Sequence, residues 1–87
     1  MPVALITGCS SGIGRALADA FKAAGYQVWA SARKDEDVAL LSAAGFTAIQ
    51  LDVNDGPALE QVSERINQQH GGLHALINNA GYGALGP

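Results

Sequence analysis

The feature that most constrains this chain is a glycine-rich stretch at residues 7–14, Thr-Gly-Cys-Ser-Ser-Gly-Ile-Gly, between an apolar run and a helical pattern. Gly8, Gly12 and Gly14 allow a tight backbone turn and the close approach of a bulky anion. Unpaired amides at the start of the helix would point at that anion, and the helix dipole favours its negative charge. The stretch predicts a phosphate site, with an ordinary strand-to-helix loop as the alternative.

Apolar runs and helical patterns alternate along the rest of the chain. The runs predict strands at residues 3–6, 26–32, 46–53 and 73–78. Apolar residues at helical spacing predict three intervening helices. Their apolar stripes are Ile13, Leu17, Ala20, Phe21 and Ala24 in the first, Val38, Leu40 and Leu41 in the second, and Leu59, Val62 and Ile66 in the third. Glycines at 25, 45 and 71 are expected to end the helices, and Asn-Asp-Gly-Pro at 54–57 to start the third.

This alternation predicts an α/β fold, a doubly wound parallel sheet of four strands with three helices. Right-handed crossovers and a return of the fourth strand to the first predict the strand order 3-2-1-4. The reversal beside the first strand opens a crevice at the strand ends that carry Gly8 and Asn78. Open sheets of this kind bind ligands there. The predicted phosphate site therefore lies in a predicted binding crevice.

Composition bounds the possible functions. The chain has 87 residues, of which 48% are apolar, and a net charge of −3, which suits one small folded domain. The mild acidity argues against a nucleic-acid partner. No apolar run is long enough to span a membrane, and the first residues lack a signal-peptide pattern. The single cysteine, Cys9, forms no internal disulfide, which favours the cytoplasm.

The end of the second predicted strand is basic. Residues 31–34 are Ser-Ala-Arg-Lys, whereas an acid at this point would bind ribose hydroxyls and repel a ribose phosphate. Arg33 offers such a phosphate a planar fork of donors, and Ser31 offers one more. The alternative is a solvated basic turn without a ligand.

The third and fourth strand ends carry further polar groups. Asp52 can accept a hydrogen bond from an exocyclic amine such as that of adenine, and the Val53 amide can donate to a ring nitrogen. The alternative makes Asp52 a turn or cap residue. We expect Asn79 to tie neighbouring strands together, with Ala80 and Gly81 beside a ligand.

These motifs together resemble the short-chain dehydrogenase/reductase family, classical type. The pattern T-G-x-x-x-G-x-G at 7–14, Asn-Asn-Ala-Gly at 78–81 and the intervening Asp52 match the family's two motifs and its adenine-contact position. The resemblance covers residues 3–87 and implies a Rossmann-like fold, of which residues 1–87 are the amino-terminal part of one NADP(H)-binding domain. It implies that the cofactor is bound by Gly8, Ser10, Ser11, Gly12, Ile13 and Gly14 at the pyrophosphate and ribose, by Ser31 and Arg33 at the 2′-phosphate, by Asp52 and Val53 at the adenine, and by Asn79, Ala80 and Gly81 at its middle.

The resemblance also implies a reaction. Ala32 followed by Arg33 is similar to members that prefer NADPH over NADH. The family transfers a hydride between nicotinamide and a small alcohol or ketone, using a serine, a Tyr-x-x-x-Lys pair and an asparagine beyond the second motif. Neither Tyr26 nor Tyr82 is followed by lysine at the fourth position. The catalytic part is therefore expected outside these residues, which alone should be inactive.

Two alternatives remain open at this stage. One is an NADP(H)-binding sensor or interaction module without turnover, and the other is a fragment that packs against other chains. The apolar fourth strand, predicted at a sheet edge, implies that the isolated chain is unstable or associates. We expect the intact protein to be a homo-oligomer, or this edge to pack against the remainder of the protein.

The remaining candidates have structural interpretations. His70 and His74 are predicted to be a helix-end and a loop residue, and no metal site is expected. Cys9 is predicted to be a small turn residue, with a redox-sensitive thiol as the alternative because a helix start can lower a thiol pKa. Trp29 is predicted to lie in the core.

Overall fold

The chain forms four strands that alternate with three helices, as the sequence predicts. The computed structural model describes residues 2–10, 12–52 and 54–78. The strands are β1 (Val3–Thr7), β2 (Gln27–Ala32), β3 (Thr47–Gln50) and β4 (Ala75–Asn78). The helices are α1 (Gly12–Ala23), α2 (Asp35–Ala43) and α3 (Gly56–His70). β2 and β4 begin one and two residues later than predicted, and β3 ends three residues earlier.

The sheet has the predicted order β3-β2-β1-β4, and all three pairings are parallel. Leu5 of β1 lies opposite Trp29 of β2 on one side and Leu76 of β4 on the other. β1 is buried along its whole length because it has a strand on each side and helices on both faces. Within the described residues β4 pairs with β1 alone, and Leu76 is 47% exposed at this edge.

Helices cover the two faces of the sheet as a doubly wound fold requires. Side chains alternate between the faces along a strand, so Ile6 packs on one side and Leu5 on the other. The first face holds Ala18 of α1 and Leu41 of α2, and the second holds Val62 and Ile66 of α3. The chain therefore reverses its winding between β1 and β4, which places the predicted crevice beside the end of β1.

The apolar stripe predicted for α1 is partly wrong. Gly14 and Ala18 are buried, whereas Ile13 is 70% exposed and Ala20 and Ala24 are also exposed. Two small residues one turn apart let the helix approach the sheet closely, and this rotates the larger Ile13 toward solvent. Leu17 and Phe21 complete the contact from the predicted set.

The predicted stripe of α2 has a similar error, because Leu40 is 65% exposed while the adjacent Leu41 is buried. A nine-residue helix against a sheet edge buries one narrow side, so consecutive leucines cannot both face the core. The stripe of α3 is confirmed, with Val62 and Ile66 buried and Leu59 packed against them.

The helix-end signals are confirmed. The Asp55 carboxylate accepts a hydrogen bond from the Ala58 amide at 3.2 Å, and Pro57 lies in the first turn of α3. Gly25 follows α1 with a φ of 94°, a conformation that residues with a Cβ rarely adopt. These local signals set where α1 ends and where α3 begins.

Candidate functional site

The glycine-rich loop connects the end of β1 to the start of α1. Gly8 has a φ of 67°, which turns the chain sharply after the strand and is costly for other residues. Gly12 begins α1 and is exposed, and a methyl group built on it would have no neighbouring atom within 4 Å. The helix start is therefore open above Gly12, which suits the close approach of a ligand.

Two hydrogen bonds of Cys9 hold this loop on the sheet. Its amide donates to the Ser31 carbonyl of β2 at 2.9 Å, and its thiol donates to the Ile6 carbonyl at 3.1 Å. Burial raises the pKa of the Cys9 thiol to about 11, although the Ser31 backbone bond and the charge of Arg15 act in the opposite direction. The thiol is therefore protonated at neutral pH, which favours the structural interpretation of Cys9 over the redox-sensitive one.

The structure brings the loop together with the basic end of β2. A cleft of about 470 Å³ is lined by Ser10 of the loop, Arg33 and Lys34 after β2, and Asp37 of α2. Ser10, Arg33 and Lys34 are exposed. The backbone at Arg33 is anchored because its carbonyl accepts a hydrogen bond from the Gln50 side chain at 3.0 Å. A hydroxyl and two cations thus face one cavity from two different strand ends.

A second, adjoining cleft of about 280 Å³ extends this surface toward α1. Its lining residues are Cys9, Ser10, Gly12, Arg15, Asp37, Leu40 and Leu41. Arg15 forms an ion pair with Asp19 at 3.4 Å on the exposed face of α1. Sequence reasoning missed Arg15, Lys34 and Asp37 as site residues.

Ser31 lies outside the cleft. Its side chain is fully buried in β2, and its hydroxyl has no hydrogen-bond partner among the described residues. Buried hydroxyls normally have a partner, so this oxygen is an exception among the described side chains. Contact between Ser31 and a phosphate remains a prediction.

Asp52 lies exposed after β3, at the same edge of the sheet. One carboxylate oxygen accepts a hydrogen bond from the Asn54 amide at 2.9 Å, which forms a turn that leads into α3. This contact supports the turn interpretation, and it leaves the other carboxylate oxygen for a ligand. The geometry of Asp52 is therefore compatible with both a turn residue and an adenine contact.

Five predicted site residues lie outside the described residues: Ser11, Val53, Asn79, Ala80 and Gly81. Gly8, Ser10, Gly12, Arg33 and Asp52 are all at the carboxyl edge of the sheet, as predicted. Ile13 is exposed and Gly14 is buried within the first turn of α1. The register of Thr7 with Asn78 brings the end of β4 beside the end of β1.

Both histidines accept hydrogen bonds away from the cleft, near the amino ends of the strands. The Trp29 indole N–H donates to Nε2 of His70 at 3.2 Å, and the Val3 amide donates to Nδ1 of His74 at 3.0 Å. Among residues 2–10, 12–52 and 54–78, no group of three or more His, Cys, Asp or Glu side chains is placed to hold a metal ion. In the same part of the chain, no helix has both the length and the apolarity needed to cross a bilayer.

Comparison with known proteins identifies the family. A family model described as short chain dehydrogenase matches residues 2–87. The chain is 47% identical over 79 residues to the NADPH-dependent 1-acyldihydroxyacetone phosphate reductase of Schizosaccharomyces pombe, covering 88% of this chain and 27% of that protein. It is 39% identical over 92 residues to the NADPH-dependent 3-dehydrocapnine reductase of Ornithobacterium rhinotracheale, covering 100% of this chain and 32% of that protein. It therefore spans about a third or less of the length of these relatives.

Solved structures agree with this assignment. A short-chain dehydrogenase from Streptomyces avermitilis superposes with a TM-score of 0.79 at 42% identity, covering 90% of this chain and 30% of that one. The ligand-free aldohexose dehydrogenase of Thermoplasma acidophilum superposes with a TM-score of 0.76 at 29% identity, covering 90% of this chain and 29% of that one. With the strand order and the glycine-rich loop described above, these matches show that the chain belongs to the short-chain dehydrogenase family of nicotinamide-dependent oxidoreductases.

Proposed function

We propose that the protein is an NADP(H)-dependent oxidoreductase that transfers a hydride between nicotinamide and a small alcohol or ketone. Residues 1–87 are, in this proposal, the amino-terminal part of its dinucleotide-binding domain. The observation that carries the cofactor assignment is the cleft in which Ser10 of the glycine-rich loop meets Arg33 and Lys34. Two relatives that are named as NADPH-dependent reductases support it.

The glycine-rich loop is proposed to bind the pyrophosphate. The left-handed turn at Gly8 and the open space above Gly12 allow the backbone at these two residues to approach a phosphate. The positive end of the α1 dipole would stabilise the phosphate charge. Ser10, Ser11, Ile13 and Gly14 complete this part of the proposed site.

Arg33 is proposed to bind the 2′-phosphate that distinguishes NADP(H) from NAD(H). It is exposed at the mouth of the cleft, and its guanidinium can form two charge-assisted hydrogen bonds with one phosphate. Lys34 adds a second positive charge at the same cavity. Neither residue that directly follows β2 is acidic, so no carboxylate occupies the position that would favour NAD(H).

The remaining contacts are proposed for the rest of the cofactor. Asp52 and Val53 would bind the adenine, and Asn79, Ala80 and Gly81 would line the middle of the cofactor. Ser31, whose hydroxyl has no hydrogen-bond partner among the described residues, would contact a polar group close to the end of β2. When bound, the cofactor supplies or accepts the hydride, while these residues hold and orient it.

Titration of the full-length protein with NADPH and NADH tests this proposal. We expect tighter binding of NADPH, and Arg33→Ala should reduce the difference in binding free energy by about 1–3 kcal/mol, the scale of a charge-assisted contact. Arg33→Lys keeps the charge but loses the two parallel donors of the guanidinium, so it should reduce the difference in binding free energy by an intermediate amount. Arg65→Ala removes the same charge from α3, away from the cleft, and should leave the ratio unchanged.

Equal affinities for the two cofactors in the wild-type protein would refute the proposed preference. Turnover is then measured with the bound cofactor and a panel of small ketones and alcohols. Binding without turnover of any of them would instead support a non-catalytic NADP(H)-binding module.

A further inference from the structure

The cleft at the end of β2 contains one group that opposes a phosphate. Of the described residues that line this cleft and the adjoining one, Asp37 alone carries a negative charge. It is partly buried in the first turn of α2, and it lines both cavities. Any anion that enters between Ser10 and Arg33 therefore meets a carboxylate as well as two cations.

The Asp37 charge is not neutralised by contact with those cations. Within the described residues, no ion pair shorter than 4.0 Å joins Asp37 to Arg33 or Lys34, whereas Arg15 pairs with Asp19 at 3.4 Å. Like charges that share a partly buried cavity repel each other more strongly than they do in bulk water. A dianionic phosphate would feel this repulsion, and an unphosphorylated ribose would feel almost none.

We propose that Asp37 is a specificity-determining residue whose carboxylate opposes the 2′-phosphate and so limits the preference for NADPH over NADH. This inference rests on the proposed function, because it requires that the cleft receives the cofactor's ribose. It predicts a protein that binds both cofactors with a smaller difference than Arg33 and Lys34 alone would produce.

A purely structural role for Asp37 is distinguishable from this one. Asp35, Glu36 and Asp37 all lie in the first turn of α2, where acids stabilise the positive end of a helix dipole. All three share that role, but Asp37 alone among them lines the clefts. Glu36 is exposed and adjacent in sequence, so Glu36→Gln is a matched control for the change in charge and for the helix dipole.

The test measures Kd for NADPH and NADH by calorimetry on the full-length protein. Asp37→Asn should tighten NADPH binding about three- to tenfold and leave NADH within about twofold, the scale expected for one nearby carboxylate. The gain should shrink between about 0.02 M and 0.3 M salt, because salt screens exposed charges. Glu36→Gln should leave the ratio of the two Kd values unchanged, and Asp37→Ser repeats the test with a different side chain.

The possible outcomes separate this inference from the proposed function. An unchanged or lower NADPH preference in both Asp37 variants overturns the inference. An NADPH preference that rises in Glu36→Gln as much as in the Asp37 variants also overturns it. In each of these cases the wild-type protein still binds NADPH, so the proposed function survives. A wild-type protein that binds neither cofactor refutes the proposed function and the inference together.

Discussion

Replacing Gly12 with alanine should separate the stability of the fold from the binding of the cofactor. Gly12 is the first residue of α1, it does not have a positive φ, and a methyl group there meets no neighbouring atom within 4 Å. Alanine is the better helix former, so Gly12→Ala should leave the free energy of unfolding unchanged or raise it by about 0–1 kcal/mol. Nothing among the described contacts requires a glycine at this position.

The same methyl group should interfere with a phosphate that approaches the start of α1. We expect Gly12→Ala to weaken NADPH binding about tenfold or more, which corresponds to about 1.4 kcal/mol or more. The loss should affect NADH equally, because both cofactors contain the pyrophosphate. Denaturant unfolding and calorimetric titration of the full-length protein measure the two effects.

Two other glycines provide the controls. Gly56 is the first residue of α3, and a methyl group there also has no neighbour within 4 Å. Gly56→Ala should therefore resemble Gly12→Ala in stability but leave NADPH binding unchanged. Gly8→Ala should destabilise the protein by about 1–2 kcal/mol, because Gly8 has a φ of 67°. A Gly12→Ala variant that binds NADPH as tightly as the wild type would refute a pyrophosphate at this helix start.

Three further predictions concern stability. Burial raises the pKa of the Cys9 thiol from its ordinary value of 9.0 to about 11. The contribution of the buried, protonated thiol to the free energy of unfolding is therefore complete below pH 9 and is lost as the pH rises through 11. Unfolding free energies measured from pH 8 to 11 should fall by roughly 2 kcal/mol more in the wild type than in Cys9→Ala; parallel curves would contradict this. His70→Ala leaves the indole N–H of the buried Trp29 without its partner and should cost about 1–2 kcal/mol, whereas in a Trp29→Phe background it should cost little. Asp55→Ala should cost about 1 kcal/mol by removing the cap on the Ala58 amide, whereas Asp55→Asn should retain most of it; equal losses in the two variants would exclude the capping role.

The order and type of the elements were predictable because their signals are local. Alternating apolar runs and helical patterns, with Gly25 after α1 and Asp55 before α3, locate the elements without knowledge of their partners. The strand order then follows from crossover handedness and from the return of β4 beside β1. Several predicted strand ends are wrong by one to three residues, because a strand ends where its neighbour stops providing hydrogen-bond partners.

The orientation of the helices was less predictable. Gly14 and Ala18 contribute little to an apolar pattern, yet they face the sheet, and Ile13 and Leu40 are exposed. A sequence pattern weights large apolar residues, whereas close packing of a helix on a sheet favours small ones at the point of contact. Such patterns also do not show which polar residues share a cavity, so the positions of Lys34 and Asp37 at the cleft were not predicted.

The sequence by itself determined the α/β architecture, the family and the chemical character of each strand end. Spacing along the chain is sufficient for this, because turns, caps and glycine-rich loops act over a few residues. Only the tertiary structure decided which of those groups share a cavity, that the buried Ser31 hydroxyl has no partner within residues 2–10, 12–52 and 54–78, and that Asp37 faces the same space as Arg33. Such contacts depend on the packing of α1 and α2 against the sheet, and the energy of that packing is spread over residues that are distant in sequence.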